Sequence, residues 1–325
     1  MNLVFIGASR FGLRCLDLAI HTPGCLVTGV VTAPRSFAIS YRSLGMNDIL
    51  VRNVLHADVA SYAAHHGLPC RMLARSMTEP GLLEAVAQWE PDAFLVVGWY
   101  HMVPKAWRSL APAYGLHASL LPDYSGGAPL VWAMINGETK TGITLFQLDD
   151  GVDSGPIVAQ AEEPIHADDT IATLYARIEE RGLELLARSL PALADGSVVL
   201  RNQPLSGRRI MPQRTPKDGV IDWTADYAFV ERFIRAQTRP YPGAFSMHGE
   251  RRITIWAAHG MAYDADISAS PGEIIFYGNA VAVVCGQGAL VLDEIECEGN
   301  VFVGHEIGTI LREGGCFKNH RKAMK

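Results

Sequence analysis

Two short segments, around His117 and Asp153, contain the residue types best suited to moving protons. His117 lies in residues 115–129 and Asp153 in residues 149–156, and both segments are rich in glycine, proline and hydroxyl side chains. Such residues favour turns and loops, which can hold an imidazole and a carboxylate together in one exposed crevice. A histidine beside a carboxylate can accept and donate a proton near neutral pH. The two residues are therefore the candidate catalytic pair.

An alternation of strands and helices must position these two loops. Apolar runs predict buried strands over residues 3–6, 26–32, 69–72 and 93–97. The spacing of apolar residues predicts a helix that ends near residue 20 and further helices over residues 59–66, 82–89 and 168–193. This order is typical of an α/β protein with a Rossmann-like, mostly parallel sheet and helices on both faces. Ligands of such sheets bind at the carboxyl ends of the strands, where residues 98–104 follow a predicted strand.

The second half of the chain changes character after the long helix. Residues 194–216 are rich in glycine, proline and arginine, and one predicted helix follows over residues 227–236. Short β-like runs come next, at residues 253–257, 273–276, 281–284 and 289–292. The pattern predicts a smaller, β-rich, barrel-like domain. We place a catalytic domain at residues 1–200, a linker at 201–215 and the C-terminal domain at 216–325.

The composition argues against several classes of protein. The chain has 325 residues and a formal net charge of −6, which gives no general attraction to nucleic acid. Its six cysteines form no C-x-x-C pair, so reduced thiols and a cytoplasmic location are expected. No apolar stretch reaches the length of a membrane span, and the N-terminus predicts a strand rather than a signal peptide. No His, Cys or Asp cluster has metal-ligand spacing, so no metal is expected.

Residues 7–12 form a glycine-containing turn at the start of the first helix. They read Gly7-x-Ser9-x-x-Gly12, in which serine replaces the second glycine of the dinucleotide fingerprint. Because that glycine lets the backbone approach a pyrophosphate closely, NAD binding and an oxidoreductase function are disfavoured. Backbone amides at a helix start can still contact another substrate, which makes Ser9 and Arg10 candidate substrate-binding residues.

Longer motifs surround the catalytic pair, and a second set of motifs follows the linker. Those of the first domain are His117-Ala118-Ser119-Leu120-Leu121-Pro122, Gly126-Gly127-Ala128-Pro129, Thr141-Gly142-Ile143-Thr144 and Gly151-x-Asp153-x-Gly155. Those of the second domain are Arg214-Thr215-Pro216-Lys217-Asp218-Gly219, Asp222-Trp223 and Arg235-Ala236-x-Thr238-Arg239-Pro240-Tyr241-Pro242-Gly243-Ala244-Phe245. Together they resemble the formyltransferase superfamily, which includes methionyl-tRNA, glycinamide ribonucleotide and nucleotide-aminosugar formyltransferases. The chain most resembles the formyltransferase part of the bifunctional UDP-4-amino-4-deoxyarabinose enzyme.

The resemblance implies transfer of a formyl group from N10-formyltetrahydrofolate to a primary amine. His117 would donate a hydrogen bond to the formyl oxygen and shuttle the proton, while Asp153 would orient and charge the imidazole. The implied folate pocket is lined by Trp99, Tyr100, His101, Met102 and Val103 on one side and by Asp149, Asp150, Gly151 and Val152 on the other. Gly115 and Ser119 join the candidate substrate-binding residues. A role for Trp99 as a core aromatic residue is an equally good prediction.

Gly115 departs from the family pattern, which usually has Asn-x-His. The asparagine amide helps to hold the formyl oxygen, and loss of one such donor slows a reaction by about 10²–10³-fold. A water or another side chain can fill the gap while His117 does more of the work, or the enzyme can be slower and tuned to a different acceptor. Two further readings are a hydrolase that passes the formyl group to water and a non-catalytic folate-binding protein. The intact motifs around His117 and Asp153 favour the first two.

The acceptor amine is predicted from charge. An enzyme that acts on tRNA normally has a basic flap and a basic second domain, whereas this second domain has nearly equal numbers of basic and acidic residues. Residues 33–53, with Arg35, Tyr41, Arg42 and Arg52, are either a mobile flap or an ordinary insertion, and they lack a Gly- and Lys-rich sequence. We therefore favour a nucleotide-linked aminosugar over tRNA. A homodimer is compatible with the sequence.

Three other groups of residues have ordinary explanations. His65 and His66 are predicted to be exposed helix residues rather than metal ligands. The acidic run 293–298 is predicted to be a solvated turn or a strand edge. The basic tail 318–325 could contact phosphate, but a frayed terminus is the simpler prediction.

Overall fold

The computed structural model describes residues 1–39, 49–204, 206–261 and 269–318. The α-helices are α1 (Arg10–Ile20), α2 (Val59–His65), α3 (Leu82–Ala87), α4 (Lys105–Leu110), α5 (Pro129–Ile135), α6 (Ile171–Ala194) and α7 (Tyr227–Arg235). The strands are β1 (Asn2–Ile6), β2 (Leu26–Thr32), β3 (Ser36–Ile39), β4 (Ile49–Arg52), β5 (Cys70–Met72), β6 (Ala93–Val96), β7 (Ala113–His117), β8 (Ser125–Gly126), β9 (Lys140–Gln147), β10 (Ile157–Pro164), β11 (Ile210–Met211), β12 (Ala244–His248), β13 (Arg251–Met261), β14 (Ile274–Tyr277), β15 (Ala280–Val284), β16 (Ala289–Cys297) and β17 (Asn300–Val303). Short 3-10 helices span Pro216–Gly219 and Gly304–Thr309.

Contacts divide the chain into two compact units, each built from separate stretches. The first comprises Met1–Gly126, Thr141–Glu163 and Arg177–Ile210. The second comprises Gly127–Lys140, Pro164–Ala176 and Met211–Lys325. Because the units interleave along the chain, the domain boundaries drawn from the sequence stay a prediction.

Seven of the described strands form the sheet of the first unit, in the order β10-β9-β7-β6-β1-β2-β5. Five adjacent strands are parallel to one another: β5, β2, β1, β6 and β7. Strand β9 is antiparallel to β7. Strands β1 and β6 contain no charged residue and are almost entirely buried, as expected for a parallel sheet covered on both faces. The predicted α/β class is confirmed.

The carboxyl ends of β1, β6 and β7 lie side by side, because these strands are parallel neighbours. The direction of winding reverses here, since β2 flanks one side of β1 and β6 the other, and open α/β sheets bind ligands at such a point. Ser9 follows β1, the loop 97–104 follows β6, and β7 ends at His117. The sheet therefore brings three predicted site segments to one edge.

A buried carboxylate joins β10 to α6. Glu163 is 4% exposed and accepts hydrogen bonds from Arg177 Nε at 2.6 Å and from Arg181 Nε at 2.9 Å. Burial by itself would raise the pKa of Glu163, but the hydrogen bonds from the two arginines outweigh it and leave the pKa below its ordinary value. The carboxylate is ionised at neutral pH and ties the helix to the sheet.

The second unit contains an antiparallel sheet in the order β12-β13-β16-β15-β14, with β17 paired to β16. Residues 314–318 join its two edges. The Phe317 amide donates to the Gly272 carbonyl, beside β14, at 2.8 Å, and the Lys318 amide donates to the Met247 carbonyl in β12 at 2.9 Å. The predicted smaller, β-rich domain with a barrel-like sheet is confirmed.

The acidic run is a correction to the sequence-based prediction. As far as Cys297 it belongs to β16, which pairs with β13 on one side and β17 on the other, so it is neither a turn nor an edge. Its partly exposed acidic side chains are interspersed with the buried Leu292, Ile295 and Cys297, the pattern of a half-buried strand. Glu298 alone lies in a turn.

The segment 33–53 contains an antiparallel pair of strands, β3 and β4, which the sequence pattern did not predict. Arg35, just before β3, is exposed. Tyr41 and Arg42 lie outside the described residues, as does the basic tail beyond Lys318.

His65 and His66 lie at the end of α2, and both are exposed. Within the described ranges, no group of three His, Cys, Asp or Glu residues is arranged to hold a metal ion. No helix in that part of the chain is long and apolar enough to cross a membrane.

Candidate active site

His117 lies at the end of β7, with its side chain 12% exposed. Its Nε2 is 2.9 Å from the Tyr124 carbonyl, and because a carbonyl can only accept, Nε2 carries the proton of this hydrogen bond. Nδ1 faces Asp153 Oδ2 at 3.6 Å. Nδ1 is therefore the ring nitrogen that is placed to take up a proton, with a carboxylate beside it to stabilise the imidazolium. The structure brings the predicted catalytic pair together.

Asp153 adopts a backbone conformation that few non-glycine residues favour, with φ of +50°. Such a residue is strained by about 1–3 kcal/mol and persists only where its surroundings hold it. Its Oδ2 accepts a hydrogen bond from the Gly126 amide at 2.8 Å, and its carbonyl accepts one from Gln203 Nε2 at 2.9 Å. The position of the carboxylate is thus set by contacts on both sides of the residue.

The loop 97–104 shows a division between buried and exposed side chains. Trp99 packs against the core, with Nε1 3.2 Å from Met77 Sδ. Its position therefore agrees with a core aromatic residue. Val103 is buried, whereas Met102 is 66% exposed and Tyr100 donates to Asn53 Oδ1 at 3.2 Å. The exposed members of the loop are those that a ligand can reach.

Half-burial changes the proton chemistry of His101 in the same loop. Desolvation lowers the pKa of its imidazole, so the ring is neutral near pH 7. The ring also lies beside Trp99, with centroids 5.4 Å apart. A neutral imidazole beside an indole suits a flat aromatic ligand better than an anionic ligand.

Residues 149–155, the Asp153 loop, contain the other predicted folate-binding residues. Asp149 Oδ1 accepts hydrogen bonds from the Gly151 amide at 3.0 Å and from Ser154 Oγ at 2.7 Å, which closes a tight turn. A Cβ on Gly151 would lie 2.0 Å from Ser154 Oγ, so a larger residue would displace this hydroxyl from Asp149. Val152 is 42% exposed and offers an apolar surface.

Arg108 ties the Asp153 loop to the loop 97–104. Its Nε donates to the Val103 carbonyl at 3.2 Å and its Nη2 to Asp150 Oδ1 at 2.5 Å. The hydrogen bond from Arg108 holds the pKa of Asp150 below its ordinary value. One guanidinium therefore spans the two predicted walls of the folate pocket, although nothing in the local sequence marked it.

The four predicted substrate-binding residues differ in exposure. Ser9 is 3% exposed and caps α1, since its Oγ accepts from the Gly12 amide at 3.0 Å. Ser119 is fully buried and donates to the Asp123 carbonyl at 2.7 Å. These two hydroxyls have structural roles, whereas Arg10 is exposed at the start of α1.

Gly115 leaves no open space for a side chain. A Cβ at this position would lie 3.1 Å from Leu148 Cδ2 and 3.5 Å from Phe146 Cε1. Two apolar side chains, rather than a polar group, thus occupy the direction in which the family asparagine would start. Leu148 would have to move by a few tenths of an ångström to admit one.

Gln203, Arg208 and Arg209, which lie in the predicted linker, contact the loops that hold His117 and Asp153. Gln203 binds the Asp153 loop, and Arg208 donates to the Val152 carbonyl in the same loop. Arg209 lies over the Tyr124 ring at 4.6 Å and donates to its hydroxyl at 3.1 Å. The only sequence signal for these residues was the arginine content of the segment.

Family models match both halves of the chain. The model described as formyl transferase matches residues 28–190, and the model of the formyl transferase C-terminal domain matches residues 214–304. A methionyl-tRNA formyltransferase of Citrifermentans bemidjiense is 34% identical over 303 residues, which cover 92% of this chain and 90% of the relative.

Solved structures agree in fold. An N-formyltransferase from Helicobacter canadensis, in complex with folinic acid and dTDP-3-aminofucose, superposes with a TM-score of 0.62 at 15% identity, over 90% of this chain and 98% of that one. HypX from Aquifex aeolicus in complex with tetrahydrofolic acid gives a TM-score of 0.60 at 17% identity, over 99% of this chain. The chain spans about half the length of HypX, 51% of it. On the family models and the identity to a curated relative, this chain belongs to the formyltransferase family and is an N-formyltransferase.

Proposed function

We propose that this enzyme passes the formyl group of N10-formyltetrahydrofolate to the amino group of a nucleotide-linked aminosugar. Family membership supports the formyl donor and the transfer. The observation that carries the chemistry is the facing pair of His117 Nδ1 and Asp153 Oδ2 at 3.6 Å, at the carboxyl edge of a parallel sheet. The choice of an aminosugar as the acceptor is the more specific part of the proposal, and it rests on the charges of the second unit.

The reaction needs a base, an acid and support for a negative oxygen. The neutral amine attacks the formyl carbon, and a new C–N bond forms as the carbonyl π electrons move to oxygen. The amine proton passes to His117 Nδ1, and the resulting imidazolium is stabilised by Asp153. When the bond to folate N10 breaks, its electrons stay on that nitrogen, which takes the proton back from His117. The products are an N-formyl amine and tetrahydrofolate.

Gly115 limits how the negative oxygen is held. The direction of the missing asparagine leads to Leu148 and Phe146, which offer no hydrogen-bond donor. Protonated His117, together with a water or another side chain, would then supply the hydrogen bonds, in line with the expectation that the histidine does more of the work. A reaction slower than that of asparagine-containing relatives is therefore expected, by up to about 10²–10³-fold.

The surface of the second unit supports a small acceptor. Arg239 pairs with Glu294 at 2.7 Å and lies over the Trp256 ring at 4.2 Å, and Arg252 lies over the Phe245 ring at 3.7 Å. These guanidinium groups are engaged by carboxylates and aromatic rings on a face that also holds Glu296. A polyanion such as tRNA binds best where positive charge is in excess.

Methionyl-tRNA is the second candidate acceptor. It is favoured by the 34% identity, over 92% of this chain, to a protein named methionyl-tRNA formyltransferase. Binding to tRNA would weaken steeply with salt, because each phosphate contact releases counterions, whereas binding to a nucleotide sugar would depend on salt only weakly.

The deciding experiment follows tetrahydrofolate release from N10-formyltetrahydrofolate. The protein is assayed alone, with a panel of nucleotide-linked 4-aminosugars, and with methionyl-tRNA. We expect release only with an aminosugar and at least about 10³-fold less in His117→Ala and Asp153→Asn. Release that needs methionyl-tRNA would move the assignment to the second candidate. Release without any amine would mean a hydrolase, and stoichiometric binding without release would mean a folate-binding protein.

A further inference from the structure

We propose that Gln203 is a positioning residue that holds Asp153 against His117, a proposal that rests on the formyl transfer proposed above. Gln203 Nε2 donates to the Asp153 carbonyl at 2.9 Å and to the Gly155 carbonyl at 2.6 Å. The side chain reaches these atoms from 50 positions along the chain and is 7% exposed. One buried amide therefore binds the backbone on both sides of Ser154.

Asp153 needs such support because its backbone is strained. With φ of +50°, a residue other than glycine keeps its conformation only where its surroundings hold it. A buried carbonyl that loses its donor is left unsatisfied, which costs about as much as that strain. The hydrogen bonds from Gln203 are thus of the size needed to hold this conformation.

Gln203 acts as a donor and not as an acceptor. Its Oε1 is buried and has no hydrogen-bond partner within the part of the chain that the structure describes. The two N–H groups of its amide match the two carbonyls of the Asp153 loop. A side chain of equal length without these donors would keep the packing and lose the function.

The segment that carries Gln203 is itself anchored to the first unit. The Arg201 amide donates to the Ile157 carbonyl at 2.9 Å, and the Ile157 amide donates to the Arg201 carbonyl at 2.8 Å. Five residues after Gln203, Arg208 donates to the Val152 carbonyl, next to Asp153. The amide is therefore presented from fixed backbone, which a positioning role requires.

Gln203→Met tests the proposal, because methionine keeps the length and lacks both donors. Gln237→Met is the matched control, since Gln237 is also 7% exposed and donates to a backbone carbonyl, that of Phe233, in the second unit. We expect kcat to fall about 10–100-fold in Gln203→Met, with KM for donor and acceptor changed by less than about twofold, because a displacement of 1 Å can slow catalysis about 10²-fold. Gln237→Met should match the wild type.

A double variant separates positioning from general structural damage. If Gln203 acts through Asp153, then Gln203→Met should lower the residual kcat of Asp153→Asn by less than about twofold. Losses that multiply would overturn the proposal. Gln203→Asn, which keeps the donors on a shorter stem, serves the same tests if the methionine variant does not fold.

Amide exchange measured by NMR tests the proposal without turnover. The Gly126 amide is held by Asp153 Oδ2 at 2.8 Å, so we expect its exchange to quicken at least about tenfold in Gln203→Met. The Leu121 amide, which donates to Thr144 Oγ1, is the internal control and should not change. Unchanged exchange at Gly126 would overturn the role of Gln203, whereas a wild type without turnover would count only against the proposed function.

Discussion

The loops around the catalytic pair and the sheet of the second unit are held by different forces. Asp153 is strained, partly exposed and kept in place by a few polar contacts, from Gly126 and Gln203 among them. The second unit instead surrounds a continuous apolar core, in which Trp223 and Phe317 stack with ring centroids 5.5 Å apart. A change in the first region should therefore alter turnover and spare the fold, while a change in the second should alter the fold.

Removal of the imidazole is the sharpest way to test the first half of this comparison. In His117→Ala we expect kcat to fall at least about 10³-fold, because the proton acceptor is gone. Unfolding free energy should fall by less than about 2 kcal/mol, since one partly exposed ring and one hydrogen bond are lost. Single-turnover kinetics and thermal melting measure the two effects, with the exposed His21 changed to alanine as control. A kcat within tenfold of the wild type would contradict the catalytic role.

Trp223→Ala tests the second half of the comparison. Trp223 is fully buried and donates to Ser246 Oγ at 3.1 Å. Its truncation should lower the unfolding free energy by about 3–5 kcal/mol, through lost burial and the cavity left behind. Tyr277→Ala, at a 69% exposed position in the same unit, should cost less than about 0.5 kcal/mol. Denaturant unfolding of both variants gives the comparison, and equal losses would refute it.

Glu163→Gln tests a polar contact that serves stability rather than turnover. The pKa of Glu163 is lowered in the folded protein, so its contribution is present above the ordinary value of 4.5 and disappears as pH falls through the folded value. At pH 7 we expect a loss of about 1–3 kcal/mol, reduced by the partial exposure of both arginines. The variant and the wild type should converge only at a pH below the lowered folded pKa of Glu163.

Its control is Glu184→Gln, because Glu184 also pairs with Arg181 but is 58% exposed. That change should cost less than about 1 kcal/mol at every pH. A pH-independent difference between Glu163→Gln and the wild type would show that packing, not charge, explains the loss. Urea unfolding at a series of pH values measures both variants.

Arg108→Ala should have the smallest effect and should act on the donor alone. The guanidinium bridges Val103 and Asp150, whose side chain is 70% exposed, so solvent screens the ion pair and its loss should have a small effect. We expect KM for N10-formyltetrahydrofolate to rise about three- to fivefold, with KM for the acceptor unchanged. Steady-state kinetics with each substrate varied in turn measures this, and Asp150→Asn should give a similar rise. An effect on the acceptor instead would place the folate pocket elsewhere.

The fold followed from local patterns where those patterns were complete. Strands β1, β2 and β6 are mostly apolar runs, and the helices near them have apolar residues at helical spacing, so their positions could be predicted. Strand β16 was half missed, because its partly exposed Asp293, Glu294 and Glu296 resemble a turn until their buried neighbours are counted. The β3–β4 pairing was also missed, because the sequence of this segment shows no clear periodicity of apolar residues.

The site could be predicted as far as motifs reach. His117 and Asp153 lie in recognisable loops, and the structure places their side chains in contact. Arg108 and Gln203 could not be found, because each acts across 42 to 50 positions of chain and contacts mainly backbone atoms or an exposed carboxylate. Which carbonyl faces a given amide depends on how strands are ordered in the sheet, and no local pattern records that.

The closure of the second sheet by residues 314–318 has a consequence for synthesis on the ribosome. These residues leave the ribosome after every strand they join, so the edge at β14 stays unpaired until then, as does the end of β12 that Val220 and Ile221 do not reach. Unpaired edges readily accept strands from other molecules. The nascent unit is therefore prone to aggregate until these residues are made, and slower translation lengthens that period. Slow codons after β17 would increase the risk of aggregation, and binding by a chaperone would reduce it.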